Sequence, residues 1–334
     1  MIIILLLACR EPAEQTENGP GDDPTVTTDP TLPVPEAVDT AYGVDSAAET
    51  GDTGPEPPLF WTYVDTDSIH SCGLVSDGSV RCWGIDECTN NTPRPWEQLT
   101  QISLGIGQGC GLRPDGTLLC WNCDHFDEEV RRETPPGVFL RVEVGAGAAC
   151  AQDAAGILTC WGVDFVVGTP PPGPVLDFAL DANATAAVLP DGSIIAWGDA
   201  ALWGDDSPPV GVVFSNISMG RRHACGLDTT GLAWCWGDSQ NLSPFPPAPP
   251  GVWAQIETFN DASCVIDDLG TVSCWYGYPS VSFSLWESQR PAVPFAQLGL
   301  GEWDGCGVTL TGEAYCWGGD PSVETWLDVP DLNP

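Results

Sequence analysis

Seven near-copies of one hairpin, most ending in Cys-Trp-Gly, run through this chain. They place tryptophans at Trp83, Trp121, Trp161, Trp197, Trp236, Trp275 and Trp317, 36 to 42 residues apart. A period of this size marks a repeat architecture, in which each unit buries its apolar face only against its neighbours. Short β-hairpin units at this spacing read as propeller blades. The expected fold is therefore all-β, a seven-bladed β-propeller of ~39-residue repeats.

Twelve of the fifteen cysteines fall into six pairs ten residues apart: Cys72/Cys82, Cys110/Cys120, Cys150/Cys160, Cys225/Cys235, Cys264/Cys274 and Cys306/Cys316. In the fourth repeat both positions change together, to Ala186 and Ala196, as bonded thiols predict. Each pair brackets a turn with glycine six residues after the first position: Gly78, Gly116, Gly156, Gly192, Gly231, Gly270 and Gly312. In the first repeat, Ser76-Asp77-Gly78 reads as a three-residue loop with glycine in the left-handed region, closed by Val75 and Ser79. Strand parity then makes Cys72 and Cys82 a non-hydrogen-bonded pair, with Cα atoms ~4.5 Å apart and within reach of a disulfide. Cys88 and Cys123 remain, and a bond between neighbouring blades is expected for them. Cys120-Trp121-Asn122-Cys123, followed by Asp124 and His125, has the form of a redox or metal motif. Cys120 already has a partner in Cys110, however, and no second cysteine cluster completes a tetrahedral site, so no metal is expected. Disulfides in this number point to a periplasmic, cell-surface or secreted setting.

Counting back from the first cysteine position, each repeat carries an apolar anchor at minus eleven: Trp61, Leu99, Phe139, Val175, Phe214, Trp253 and Phe295. Apolar residues at minus eight (Val64, Ile102, Val142, Phe178, Ile217, Ile256, Leu298) alternate with mostly apolar ones at minus six, as along a strand. Glycines one residue later (Gly105, Gly145, Gly220, Gly301) suggest close backbone approach or a bulge. Each unit is thus one strand, a short connection and the stapled hairpin. Pro-rich runs such as Pro170-Pro171-Pro172-Gly173 connect the units, because proline cannot donate to a sheet ladder. A tryptophan present in every repeat reads as packing between blades rather than as a stacking row for carbohydrate.

Residues 10–58 carry twelve acidic residues, one arginine and almost no aromatics. Such a composition cannot bury enough apolar surface to offset its ordering entropy, so a disordered acidic linker is expected there. The repeat region, 59–334, keeps −26 of the formal −37 charge, and lysine is absent altogether. That balance disfavours nucleic acid and anionic lipid as partners. Residues 1–9 are apolar and too short to span a bilayer. They end in Leu6-Leu7-Ala8-Cys9, which resembles the lipobox of bacterial lipoproteins. The resemblance implies acylation at Cys9 after removal of the leader, with the lipid as the membrane contact. The missing basic segment before the apolar run departs from that pattern.

Units such as Ile217-Ser218-Met219-Gly220-Arg221-Arg222-His223-Ala224-Cys225-Gly226-Leu227 with Cys235-Trp236-Gly237, and His70-Ser71-Cys72-Gly73-Leu74 with Cys82-Trp83-Gly84, resemble the regulator-of-chromosome-condensation repeat family in its short bacterial form. The cysteine-free fourth unit, 187–198, is similar to repeats of the β-lactamase-inhibitor protein type II. The resemblance implies a seven-bladed propeller that binds proteins through loops at its faces. The founding members' roles in nucleotide exchange on a nuclear GTPase and in chromatin contact do not suit an acidic, disulfide-bonded chain. The inhibitor's lactamase contacts have no counterpart in these loops. The family histidine survives only as His70 and His223, with a structural, locally hydrogen-bonded role expected. Trp326-Leu327-Asp328-Val329 copies the spacing of Trp61 to Val64 and reads as a truncated eighth unit helping to close the ring.

The function expected on these grounds is a monomeric, non-enzymatic, lipid-anchored scaffold of the bacterial cell envelope that binds a protein at a propeller face and needs no cofactor. Aromatics outside the shared pattern are the candidate partner contacts: Trp96, Trp203, Tyr276, Tyr278, Trp286 and Trp303. The alternative is a propeller lyase or hydrolase, which needs carboxylates or histidines from several blades around the central channel. The acidic runs Asp124, Asp127, Glu128, Glu129, Asp205 and Asp206 read as solvated faces. No Asp-x-Asp-x-Asp-Gly loop supports a calcium site.

Overall fold

The computed structural model describes residues 57–67, 70–84, 93, 94, 96–123, 134–162, 168–181, 184–198, 207–237, 246–276, 286–302, 304–318 and 327–332. Strands form where apolar and polar residues alternate, and they stop at glycine turns and proline runs. The first three blades are β1 (Trp61–Thr66), β2 (His70–Val75), β3 (Val80–Gly84); β4 (Gln101–Gly105), β5 (Gln108–Leu112), β6 (Leu118–Asn122); and β7 (Arg141–Val144), β8 (Ala148–Gln152), β9 (Leu158–Gly162). The fourth and fifth are β10 (Asp177–Leu180), β11 (Ala184–Val188), β12 (Ile194–Gly198) and β13 (Phe214–Met219), β14 (His223–Asp228), β15 (Ala233–Gly237). The last two are β16 (Gln255–Phe259), β17 (Ala262–Ile266), β18 (Val272–Tyr276) and β19 (Phe295–Leu300), β20 (Asp304–Thr309), β21 (Ala314–Gly318). Each triplet is its own antiparallel sheet in sequence order. The first strands neighbour one another from blade to blade, and β19 returns to β1, so the twenty-one strands form one closed ring of seven blades.

The hairpin follows the expected chemistry. Val75 N donates to Ser79 O at 2.9 Å, and Gly78 N donates to Val75 O at 2.9 Å. All seven turn glycines have φ between 79° and 84°, a region closed to most side chains.

Six disulfides form between cysteines directly opposite each other on the second and third strands of a blade: Cys72–Cys82, Cys110–Cys120, Cys150–Cys160, Cys225–Cys235, Cys264–Cys274 and Cys306–Cys316. Their Cα atoms are 4.0–4.1 Å apart, slightly closer than the spacing expected from parity. The two halves of a cystine differ in environment. The first is fully buried on the central strand of its blade, whereas Cys82, Cys160, Cys235, Cys274 and Cys316 lie on the third strand and are only partly buried. These five pack at the margin of the cluster that encloses their partners. Cys123 is also disulfide-bonded. Its expected partner Cys88, like Cys9, lies outside the described residues.

The turn glycines also join the blades. Each glycine carbonyl accepts a hydrogen bond from the anchor residue that opens the next blade: Leu99 N on Gly78 O, Phe139 N on Gly116 O, and so on to Trp61 N on Gly312 O across the closure, all 2.8–3.0 Å. The core is correspondingly divided into seven clusters between blades. Clusters pair the cystine position of one blade with the tryptophan of the next: Cys72 with Trp121, Cys150 with Trp197, Ala186 with Trp236, Cys264 with Trp317, and Cys306 with Trp83 at the closure. A tryptophan so placed contributes about 3–5 kcal/mol against truncation to alanine. Val329 and Leu332 join the closing cluster between blades seven and one. The C-terminal segment thus covers that seam rather than forming strands of its own among the described residues; Trp326 lies outside them.

Gly105, Gly145 and Gly220 mark close approach. A Cβ on any of them would collide with the backbone carbonyl of Gly145, Asp181 or Asn260 in the following blade, and one on Gly301 with that of Asp67.

Candidate functional site: the central channel

The first strand of each blade turns its minus-eight and minus-six residues into the cores. Strand parity puts minus nine and minus seven on the opposite face of the blade, toward the next blade. These side chains bridge to the next blade, where no β-ladder does. Gln101 accepts from Val142 N (3.0 Å) and donates to Val142 O (3.1 Å), and Gln297 repeats the pair on Val64 (2.9 and 2.8 Å) across the closure. Asp177 accepts from Ile217 N at 2.7 Å. At minus seven, Asp65, Ser103 and Ser218 accept from Leu104 N, Val144 N and Thr258 N at 2.8, 3.0 and 2.9 Å. Backbone groups that would otherwise be buried without partners are satisfied this way, which ties the ring together.

Within the ring lies a chamber of about 130 Å³, lined by the C-terminal ends of the first strands of the seven blades. Four acidic residues, Asp65, Glu143, Asp181 and Glu257, line it from blades one, three, four and six, beside the Tyr63 phenol and one cation, Arg141. Arg141 is engaged: it bonds Glu143 (3.0 Å), meets the Asp177 carboxylate, donates to Phe178 O (3.0 Å) and stacks over the Phe178 ring. Burial, reinforced by the charge of Glu143, pushes Glu257 up to about 7. Burial also raises Asp65 well above the usual carboxylate range, although Leu104 N holds it down, with Glu143 and Glu257 adding to the rise. A carboxyl poised near 7 can exchange protons at neutrality. Among the described residues no group of three or more His, Cys, Asp or Glu could hold a metal ion.

A second polar cluster sits where blades seven, one and two meet. Asp67 accepts from His70 N (2.8 Å) and, in the next blade, Gly107 N (2.9 Å), with His70 Nδ1 at 2.9 Å. Asp304 accepts from Thr66 Oγ1 at 2.9 Å; burial and then Asp67 push it up to about 7 despite that hydrogen bond. His223 occupies the same repeat position and contacts Ser263 of blade six at 2.8 Å. Its role is structural but not local, correcting the expectation from sequence: this position also fastens neighbouring blades.

The apolar minus-eight and minus-six residues dominate the sequence pattern and hide the chamber carboxylates between them. Strand parity is the signal that sets those intervening residues on the blade face opposite the apolar ones, while their meeting in one chamber has no signal in the sequence. The acidic runs Asp124, Asp127, Glu128, Glu129, Asp205 and Asp206 lie outside the described residues, as do Trp203, Tyr278, Trp303 and the Tyr276 side chain. Trp96 is 70% exposed, with Arg94 stacked on its ring. Trp286 is corrected: it is buried against Trp317 and over Gly305 as a packing residue, not a surface contact.

The family model described as regulator of chromosome condensation (RCC1) repeat matches residues 214–241, essentially the fifth blade. The chain is 30% identical over 131 residues to the serine/threonine-protein kinase-like protein CCR2 of Arabidopsis thaliana, a match covering 34% of this chain and 16% of that protein. Among solved structures, the CRINKLY WD40 ectodomain of the Arabidopsis thaliana receptor kinase ACR4 is 21% identical at a TM-score of 0.64, covering 81% of this chain and 100% of that one. The ectodomain of the Physcomitrella patens receptor kinase CR4 is 22% identical at 0.61, over 78% and 73%. Prp20p of Saccharomyces cerevisiae is 13% identical at 0.59, over 82% and 84%. Taken with the seven hairpins, six of them stapled, these likenesses show the fold of a seven-bladed β-propeller whose fifth blade matches the regulator of chromosome condensation repeat.

Proposed function

We propose that this propeller is a non-enzymatic scaffold that binds a protein at one of its faces, working as a monomer outside the reducing cytosol. The observation carrying this reading is how the ring's polar groups are used. The first-strand glutamines, serines and aspartates named above are engaged in joining blades, while large apolar side chains such as Trp96 and Leu269 stand 70% and 76% exposed. Exposed apolar side chains beside polar surface are what protein interfaces recruit. Two similar structures are receptor ectodomains, and Prp20p binds Gsp1p and histones. The disulfides fit an oxidising compartment, and among the described residues no helix is long and apolar enough to cross a membrane. Acylation at Cys9 supplies the anchor, with 10–58 as an acidic tether and 59–334 as the binding domain. The charge balance leaves nucleic acid aside as a partner.

Affinity capture from intact cell envelopes tests the scaffold, comparing the oxidised protein with a reduced, alkylated control. A protein retained by the first and lost by the second is expected; retention of none by the oxidised form overturns the reading. Loss of metabolically incorporated labelled fatty acid in Cys9→Ser tests the anchor.

A second reading, a carboxylate enzyme of the lyase or hydrolase type, is favoured by the convergence of Asp65, Glu143 and Glu257 on one chamber. Its test is a screen for turnover of uronate-containing and amide substrates near pH 7. Activity abolished in Glu257→Gln with an unchanged melting temperature would replace the scaffold.

A further inference from the structure

The chain connections give the two ends of the ring different surfaces. At one end lie the seven glycine turns, and the residue preceding each anchor packs beside the turn of the previous blade. Val213 lies against Gly192, Val252 against Gly231 and Phe60 against Gly312. Thr229 N donates to Val213 O (3.0 Å) and Ser76 N to Phe60 O (2.9 Å), so these two residues are also held to the turn of their own blade. The side chains of Val213, Val252 and Phe60 are 49%, 67% and 49% exposed. The turns between them add Leu232, Leu269 and Leu310 at 42%, 76% and 60%. These six side chains form an arc from the fifth blade through the seventh to the first.

The same turns carry carboxylates that stay ionised at neutral pH. The Thr271 N–H holds Asp267 below the usual carboxylate range. Asp228 also lies below it: burial pushes it up, but the Thr230 hydroxyl and the Trp234 indole outweigh that. Asp268 and Glu313 stand exposed beside Leu269 and Leu310. Around the ring, Asp77, Asp115 and Asp191 occupy the same turns, each lowered first by a neighbouring Ser or Thr hydroxyl. Arg113, the cation in these seven turns, sits in the second blade and is paired with Glu97 at 3.2 Å. The arc therefore has apolar anchors interleaved with negative charge. Of the described cations near its turns, Arg81 lies by Asp77, and Arg290, which donates to Val272 O, is already paired with Glu287 at 2.7 Å.

We propose that the glycine-turn face, over blades five to seven and one, is the docking surface of this scaffold, and that its occupant is a basic protein segment presenting apolar side chains between arginines or lysines. This inference rests on the scaffold reading and names its face and partner chemistry. Charge complementarity selects the occupant. The chain's own acidic segment 10–58 and an anionic bilayer are both repelled, and a polyanion more so. Apolar anchors supply affinity, and the ring of aspartates supplies on-rate and salt dependence.

The test uses the full oxidised chain and two fluorescent twelve-residue peptides of equal charge, alternating Arg-Leu and Arg-Ser, measured by anisotropy at physiological salt. The wild type is expected to bind the leucine peptide on the order of tenfold more tightly than the serine peptide. The triple variant Val252→Ser/Leu269→Ser/Leu310→Ser should lose that preference while keeping its melting temperature, since all three side chains are exposed. Asp268→Asn/Glu313→Gln should weaken both peptides and flatten the salt dependence. Equal binding of the two peptides, or an unaltered preference in the triple variant, overturns the proposal. The envelope capture separates the two levels: a partner held equally by the wild type and the triple variant keeps the scaffold and removes this face.

Discussion

Buried ionisable side chains make this protein's stability depend on pH in an unusual direction. Asp304 and Glu257 both titrate at about 7 in the folded state, well above their ordinary values. The folded form therefore binds protons that the unfolded chain has released. Their contribution is full in acid and is lost as pH rises through 7. Between pH 8 and 6.5, stability should rise by roughly 1 kcal/mol for each group. Below 6.5 the trend is opposed by His223, which burial depresses to about 3, because the unfolded imidazole then gains a proton that the folded one cannot. Because two raised carboxyls outweigh one depressed imidazole, thermal melts should show stability still rising below 6.5, more gently, towards a maximum at pH ~4–5 where the unfolded carboxyls also take up protons, and Asp304→Asn should flatten the rise from pH 8 to 6.5. A melting temperature that falls steadily over that interval would show that these carboxyls are not buried as described.

At the scale of the element, the hairpin is a local solution that each repeat reaches by itself. Glycine takes the left-handed turn position, Asp or Thr caps the loop, and parity sets residues ten apart face to face. The fourth blade keeps all of this without its cystine: Ala186 and Ala196 are register partners, and the Gly192 turn is intact. Ala186→Cys/Ala196→Cys should therefore close the same bond that Cys150–Cys160 and Cys264–Cys274 make in other blades, stabilising the fold by at most about 3 kcal/mol. Mass spectrometry of the unreduced protein would detect the loss of two hydrogen atoms on oxidation in air; two free thiols would mean the strands are not in this register. Gly312→Ala, at a φ of +83°, should destabilise by about 1–2 kcal/mol, since the new Cβ meets both backbone strain and Phe60.

For the ring as a whole, closure is the one junction that chain order does not provide. Blade seven meets blade one through Gly312 O and Trp61 N, Gln297 and Val64, and a core sealed by Val329 and Leu332. Truncation after Gly318 should cost about 2–4 kcal/mol and should raise amide exchange first in β1 and β19. Uniform exchange across all seven blades would mean that the C-terminal segment seals nothing.

Blade number, strand placement, turn chemistry and the six ten-residue disulfides are legible in the sequence because each depends on residues within about forty positions of one another. Trp286 reads as a surface aromatic in the sequence because it stands outside the repeated pattern, and only the packing of blade seven on blade six buries it against Trp317. The convergence of Asp65, Glu143 and Glu257 is invisible there for a related reason: three carboxylates nearly two hundred residues apart share a chamber only once the ring has closed. His223 looks local and reaches across to Ser263. The sequence by itself determined the repeating module, because period, parity and glycine conformation act at short range. Tertiary structure alone decided which side chains face the axis, the seam or the docking arc, because those environments arise only where separate modules meet.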